Sequence, residues 1–492
     1  MVPRLLLPRA LFRQPLPRHA QSFWSRSKEL SIEQEPKLEL EQRQISAYLA
    51  GKGELFCPSV ICSLMDDIYM SASGDHNAAL IVATPAFAQS LQMAQDAVRC
   101  ASLLSEKQKA DRFHLLLAVV DNVMPPRSTP ESVSGISIVR GRLDHLLPGL
   151  WTQPSPLASD DANAVSALTL NVGGLDMTLP LARMPVGGKS SLLKAVEVDL
   201  SKPVATVVRA LDKTWSRVAL RLDQAAPSMQ GYQFWTPLVP MTKPRPVAEA
   251  MGNIVRQVDI DGRAEPASQE LEAVVHDMLK HASRPHPVAI WALLTRPEHE
   301  AQKTAPEPDA SLPTRPQASA MRRWCAYIEQ ALCAGGRLHG VLSGGGGWGA
   351  KRGLLALDGQ VRHFTSRQDD MTLDQLYSAI QGSSFAPPGW HIQFFMLAPG
   401  IHDKQAMSEM EFALGASREA ALGAELDMGH GQGHGGQGTR HMVQLPGFFG
   451  AQSTQGIYVA GGAGKDGLEG WETKLSAPGS YMGSKCKTTD KA

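Results

Sequence analysis

A chain of 492 residues exceeds one ordinary domain and predicts two or three packed units. Its 48 basic and 48 acidic side chains cancel, which excludes a global field that would gather nucleic acid or an anionic membrane and leaves room only for local patches. Hydrophobic residues make up 43%, enough for a sizeable core, yet apolar runs such as 115–120 and 288–294 fall far short of the ~20 residues a membrane-spanning helix needs.

Residues 1–28 carry Arg4, Arg9, Arg13, Arg18, Arg26 and Lys28, with no Asp or Glu, interleaved with Leu5, Leu6, Leu7, Leu11, Phe12 and Leu16. A basic, acid-free, amphipathic segment is the composition of a mitochondrial transit peptide, drawn inward by a negative membrane potential; a secretory signal needs an unbroken apolar stretch that these arginines prevent. The expected location is the mitochondrion, in the matrix. Composition switches at Glu29, and 29–55 reads as a polar lead-in, with a surface helix or lead-in over 29–50 and the folded part beginning near Phe56.

The run 78–84 (AALIVAT) predicts a buried strand, and Phe87, Leu91, Ala94 and Val98 recur at helical spacing in a helix ending near Leu104. A second buried strand covers 113–121 (FHLLLAVVD), which completes one strand–helix–strand unit. Strands are then expected at 135–140, 168–172, 176–181, 192–198 and 204–211, with Gly173–Gly174 supplying the positive φ angles of a tight hairpin. The proline-containing stretch 237–246 reads as a crossing between halves, followed by a strand at 254–260, a helix around Leu271, Val275 and Met278, and a strand at 288–295. A mobile loop is expected at 296–320, its Pro- and Glu-rich part ending at 316 where an amphipathic helix through Met321, Trp324, Cys325, Ile328 and Leu332 begins; that helix stops at Gly335–Gly336. Further strands are expected at 338–342, 354–357, 391–397 and 456–460, with a Gly/His-rich insert at 429–438. Strands in runs point to an α/β (α+β) fold with mixed or largely antiparallel sheets and flanking helices. The six cysteines, Cys57, Cys62, Cys100, Cys325, Cys333 and Cys486, lack a CxxC pair and read as reduced, mostly buried thiols.

The most unusual stretch is Ser343, Gly344, Gly345, Gly346, Gly347, Trp348, Gly349, Ala350, Lys351, Arg352 and Gly353. Gly344, Gly346 and Gly349 satisfy G-x-G-x-x-G, but that fingerprint needs a following helix to receive a pyrophosphate, and LLALD reads as a strand. The phosphate-loop pattern is also missed, since GAKR offers no hydroxyl after the lysine. Two readings stay open: a nest of glycine amides for an anion or small ligand beside Lys351 and Arg352, or a tight turn packed under Trp348. Ser343 misses the G-x-S-x-G nucleophile elbow by one residue. His430, His434 and His441 lie in or beside a repetitive insert, and the adjacent pairs Asp66–Asp67 and Asp369–Asp370 read as caps or surface charge.

Four segments together, 180–193 (PLARMPVGGKSSLL), 251–262 with 267–272 (MGNIVRQVDIDG, ASQELE), 337–358 (RLHGVLSGGGGWGAKRGLLALD) and 447–459 with 473–478 (GFFGAQSTQGIYV, TKLSAP), resemble a group of fungal mitochondrial proteins with a FIST domain. The resemblance covers roughly 135–480 and implies two FIST-like halves, 56–240 and 241–480, with a sensory or small-ligand-binding role rather than catalysis. On that reading Ser343 to Trp348, Gly349, Lys351 and Arg352 line a ligand site. An enzyme acting on a phosphorylated or nucleotide substrate through the glycine loop is the first alternative, and an assembly factor for a mitochondrial complex the second. No cofactor, metal or protein partner is identified by these residues, and neither nucleic acid nor a transmembrane segment is expected.

Overall fold

The computed structural model describes residues 40–49, 76–105, 111–124, 134–152, 165–184, 190–220, 232–281, 288–297, 305–307, 317–344, 353–359, 385–398, 410–418, 440–461 and 471–485. Apolar runs dictate its centre. In β2 (Ala78–Ala83) all six residues are buried, and in β3 (Arg112–Val119) all but the first. Strands buried on both faces read as unbroken apolar runs. The two strands pair in parallel, joined by a short 3-10 turn, α1 (Ala88–Gln92) and α2 (Ala94–Ser105). One helix was expected here; Met93 instead adopts an extended ψ of 127° and divides it.

β2 and β3 are the centre of a seven-stranded sheet ordered β20 (Arg440–Pro446), β1 (Leu40–Leu49), β4 (Ser134–Gly141), β2, β3, β7 (Leu193–Asp199) and β8 (Thr206–Asp212). Within the stretch expected as a surface helix or lead-in, residues 40–49 form strand β1 instead, and the fold therefore begins before Phe56. Its polar sequence carries no apolar period; β1 is held by ladders to β20 and β4 on its two sides.

One face of this sheet, through Ile81, Leu115, Leu117 and Val196, packs on Ala97, Cys100, Ala101 and Leu104 of α2. The opposite face shares a cluster with two further sheets. The first has five strands, β23 (Trp471–Leu475), β22 (Ile457–Gly461), β6 (Leu175–Pro180), β5 (Ala167–Val172) and β9 (Trp215–Leu220). The second has four, β10 (Gln233–Trp235), β24 (Tyr481–Lys485), β19 (Met410–Ala416) and β21 (Phe449–Ser453). Gly173 and Gly174, at φ 54° and 94°, make the expected β5–β6 hairpin turn.

The remaining strands close into a ring: β18 (His391–Leu397), β12 (Arg245–Met251), β13 (Ile254–Ile260), β17 (Leu355–Leu357), β16 (Arg337–Gly344) and β15 (Ile290–Thr295), which pairs back to β18. β11 (Leu238–Pro240) extends β18, and β14 (Arg263–Pro266) pairs with β13. The stretch read as a crossing thus contributes β11 and the start of β12. Val255, Leu294, Leu355, Leu357, Ile392 and Phe394 fill the inside, and α4 (Gln269–His281) adds Leu271 to the same cluster. A second set of side chains on the ring, Trp291, Leu293, Leu338 and Phe395, packs with Met321, Ile328 and Leu332 of α5 (Ala318–Cys333). A short α3 (Leu143–Leu146) follows β4.

The chain is therefore α+β, with antiparallel and mixed sheets and few helices. The expected halves 56–240 and 241–480 share sheets: β19 to β24, apart from β20, join β5, β6, β9 and β10, and β20 joins the central sheet. Glu39–Ala492 form one unit. Cys100 and Cys325 are buried thiols, whereas Cys333 is exposed at the end of α5.

Candidate functional site

Residues 345–352, including Gly345, Gly346, Gly347, Trp348, Gly349, Lys351 and Arg352, lie outside the described residues. Their flanks are described. β16 and β17 pair antiparallel, Gly344 opposite Leu355 and Ser343 opposite Ala356, with a bulge between Val341 and Ser343. A strand, not a helix, follows the glycines, so the dinucleotide context is absent at this connection.

Packing accounts for the two described glycines. A Cβ on Gly344 would lie 2.5 Å from Leu355 Cδ2, and one on Gly353, at φ 82°, 2.4 Å from Pro266 Cβ. The Gly353 carbonyl accepts the Ser268 amide at 3.1 Å, which sets the loop's base against the start of α4. That helix start carries its own anions. Arg245 grips Glu270 through Nε at 3.1 Å and Nη2 at 2.9 Å, and Ser268 Oγ donates to Glu272. Carboxylates already answer the positive end of the helix.

Ser343 is exposed and on the outer face with Ala356, while His339, four residues earlier, is 1% exposed and on the inner face beside Ala292 and Phe394. The wall of the ring separates serine from histidine, which removes the pair a serine nucleophile needs. His339 Nδ1 lies 2.8 Å from the Asp358 carbonyl, which can only accept, so Nδ1 carries the proton. Burial pushes the imidazole down to about 4, against the raising effect of that hydrogen bond, and the ring is neutral with a bare Nε2 lone pair. Nε2 is buried without a hydrogen-bond partner and Phe385 packs edge-on at 5.9 Å.

A second polar constellation forms where β3 runs out. Asp121, 4% exposed, accepts at Oδ2 from the Thr454 amide (2.7 Å), Thr454 Oγ1 (2.9 Å) and Ser453 Oγ (3.3 Å). No described donor reaches its Oδ1. Asn122 and Gln452 exchange backbone hydrogen bonds at 3.3 and 2.8 Å, and Asn122 Nδ2 donates to Ser417 Oγ at 3.4 Å. Two parallel pairs, β2/β3 and β19/β21, thus bring their carboxyl ends to one corner, the place where open α/β sheets offer ligand crevices. Burial is the largest influence on Asp121 and pushes its carboxyl up, while the Thr454 and Ser453 hydrogen bonds and the Arg183 charge oppose it.

Sequence reasoning read Asp121 as the last residue of a strand and assigned it no role. The signal was an acid and an amide directly after an apolar run; what it lacked was the partner, 333 residues away in sequence. Among the described residues no group of three or more His, Cys, Asp or Glu could hold a metal ion, and no described helix is long and apolar enough to cross a membrane. No protein-family model, curated protein or solved structure matches the chain.

Proposed function

We propose that the chain is a mitochondrial FIST-like protein that senses a small ligand at the Asp121 corner without turning it over. The observation behind this reading is the convergence of the resembling segments. Ser453 and Thr454 from 447–459 donate to Asp121, and the charge of Arg183 from 180–193 favours its ionised form. Segments 251–262 and 337–358 build adjacent ring strands through the β13–β17 pairing. Segment 473–478 joins the two regions: Lys474 Nζ reaches Asp358 Oδ2 at 3.4 Å, and Trp291 Nε1 donates to Ser476 Oγ at 3.2 Å. A ligand at the corner would address a carboxylate with one oxygen saturated by the protein and the other facing no described donor.

A thermal-shift screen against a panel of central metabolites tests the reading, with mass spectrometry of the mixture afterwards. A saturable rise in Tm, abolished in Asp121→Asn and with the metabolite intact, is the expected result. Conversion of the metabolite would instead favour an enzyme on a phosphorylated substrate, and a response lost only in Gly345→Ala/Gly346→Ala would move the site to the glycine loop. Import is tested separately by tagging the chain with and without residues 1–28; a mitochondrial signal from the truncated form would remove the leader's role.

A further inference from the structure

Three strands of the ring share one end, where β15 runs out and β16 and β18 begin. Leu294 pairs with both Arg337 and Ile392, and directly paired residues share a face of a sheet. That face is the inner one, since Leu294 and Ile392 belong to the inner cluster. Arg337 therefore rims the ring's interior, on the same side of β16 as His339. Trp390, two residues before Ile392, is half-buried against the same cluster. The Cζ atoms of Arg296 and Arg337 lie 5.8 and 5.9 Å from the centroid of its ring.

Two guanidiniums gathered on one indole repel each other. Burial disfavours the Arg337 charge most, the Arg296 charge disfavours it further, and the Glu472 carboxylate opposes both. Glu472 stands too far off for an ion pair. Among the described residues no acceptor takes a hydrogen bond from the Arg337 guanidinium or from Trp390 Nε1, and none of these nitrogens is sealed from solvent. Arg296 is placed by α5: a Cβ on Gly335, just past the end of that helix, would come within 3.4 Å of its Nε and Nη2. The carbonyl end of a helix favours a cation there. An arginine packed on an aromatic ring keeps its fork of N–H groups for an oxyanion, which it grips with two parallel hydrogen bonds. Packing alone would be served by one cation on the indole; the second adds a repulsion that a bound anion relieves.

We propose that this rim binds the phosphate group of a small organic phosphate, with Arg337 and Arg296 as its cations and Trp390 as the shelf that holds them. A phosphate monoester carries about −1.5 to −2 charges near neutral pH, which suits two guanidiniums better than the single charge of a carboxylate. The proposal is independent of the ligand reading, which concerns the Asp121 corner.

Calorimetric titration of the full chain with phenyl phosphate tests it, with benzoate as the matched carboxylate at the same ionic strength. Wild type should bind phenyl phosphate saturably and benzoate about ten-fold more weakly. Arg337→Gln should weaken phenyl phosphate roughly ten-fold or more, and Arg337→Lys, which keeps the charge and loses the fork, should fall between the two. Arg296→Gln should weaken it about five-fold; that side chain is exposed, so this variant keeps its Tm and decides the matter even where Arg337→Gln melts early. Asp121→Asn should bind phenyl phosphate like wild type, which separates this rim from the corner. A wild-type chain that binds no phenyl phosphate, or binds benzoate equally well, overturns the proposal. So does binding that both arginine variants retain, which would put the phosphate on another basic segment, and so does binding lost in Asp121→Asn.

Discussion

The Asp121 corner and the six-strand ring each bury one ionisable group, and they treat it in opposite ways. In the corner, three donors from Ser453 and Thr454 converge on a single carboxylate oxygen and tie the end of β3 to the β21–β22 turn. In the ring, His339 has one hydrogen bond, to the Asp358 carbonyl, and an orphaned Nε2. Burial drives both groups toward their neutral forms, so the carboxyl is raised and the imidazole lowered. Fold regions of similar burial therefore have opposite pH responses: acid strains the ring, and rising pH strains the corner.

The sharpest way to break this contrast is steric. Gly456 closes the turn after Thr454 at φ 79°, and a Cβ there would lie 2.4 Å from the Leu475 carbonyl and 2.8 Å from Ser476 Cα. Backbone cannot yield as a side chain does, so Gly456→Ala should cost about 4 kcal/mol. Gly252, in the β12–β13 turn at the ring's tip, also has a positive φ of 57°, but a Cβ would meet nothing within 4 Å. Gly252→Ala should cost only about 1 kcal/mol. Urea melts of the two variants give the comparison directly. Equal losses would mean that the corner is not the tighter knot.

The next effect comes from acid. The unfolded histidine titrates near 6.5 and the folded one near about 4, so the folded chain binds fewer protons between those values. Stability should fall as pH drops below 6.5, with the full loss, roughly 3 kcal/mol, reached below about 4. His114 and His391 are also lowered by burial, so wild type alone does not isolate the ring. His339→Leu should flatten the curve over that window; parallel curves for variant and wild type would show that His339 is not the acid-sensitive group.

Asp121 gives a smaller effect of opposite sign. Its raised folded value means that the folded chain holds the proton more tightly, and this contribution is lost as pH rises through the folded value. Asp121→Ala strands the Thr454 amide and two hydroxyls and should cost about 2 kcal/mol. Asp121→Asn keeps an oxygen for those donors and removes the buried charge, so its stability should match or exceed wild type at pH 8, the margin shrinking in acid. A loss in Asp121→Asn as large as in Asp121→Ala would mean the charge, not the acceptor, holds the knot.

How much of this was legible in the sequence follows from how each region is built. The unbroken apolar runs of β2 and β3 announce a doubly covered sheet, and Gly173–Gly174 announce a hairpin, because burial and positive φ leave local marks. β1 leaves none: its LEQRQISAYL carries no clean period, and its place is set by ladders to β4 and β20. The short β10, β11 and β14 of three or four residues lack the length for a period. The corner was invisible for a different reason. Asp121 and Thr454 each look like ordinary strand ends, and only the bridge between Asn122, after β3, and Gln452 of β21 brings them together. The glycine run was the loudest local signal, and the two of its glycines that are described answer to packing against Leu355 and Pro266.

Ser343 tests the quiet end of the comparison. It opens the run that the sequence marks most strongly, yet its side chain stands exposed on the outer face of the ring, across the strand wall from His339. A serine nucleophile needs a base within hydrogen-bond reach, and His339 spends Nδ1 on the Asp358 carbonyl and turns Nε2 inward. An exposed hydroxyl without a buried partner contributes little to stability, so Ser343→Ala should shift unfolding by less than about 0.5 kcal/mol. Its ligand response in the thermal-shift screen should equal that of wild type, and any hydrolysis of an activated ester by the protein should survive the substitution. An ester burst lost in Ser343→Ala alone would restore this serine as a nucleophile and require the ring to open so that a base could reach it.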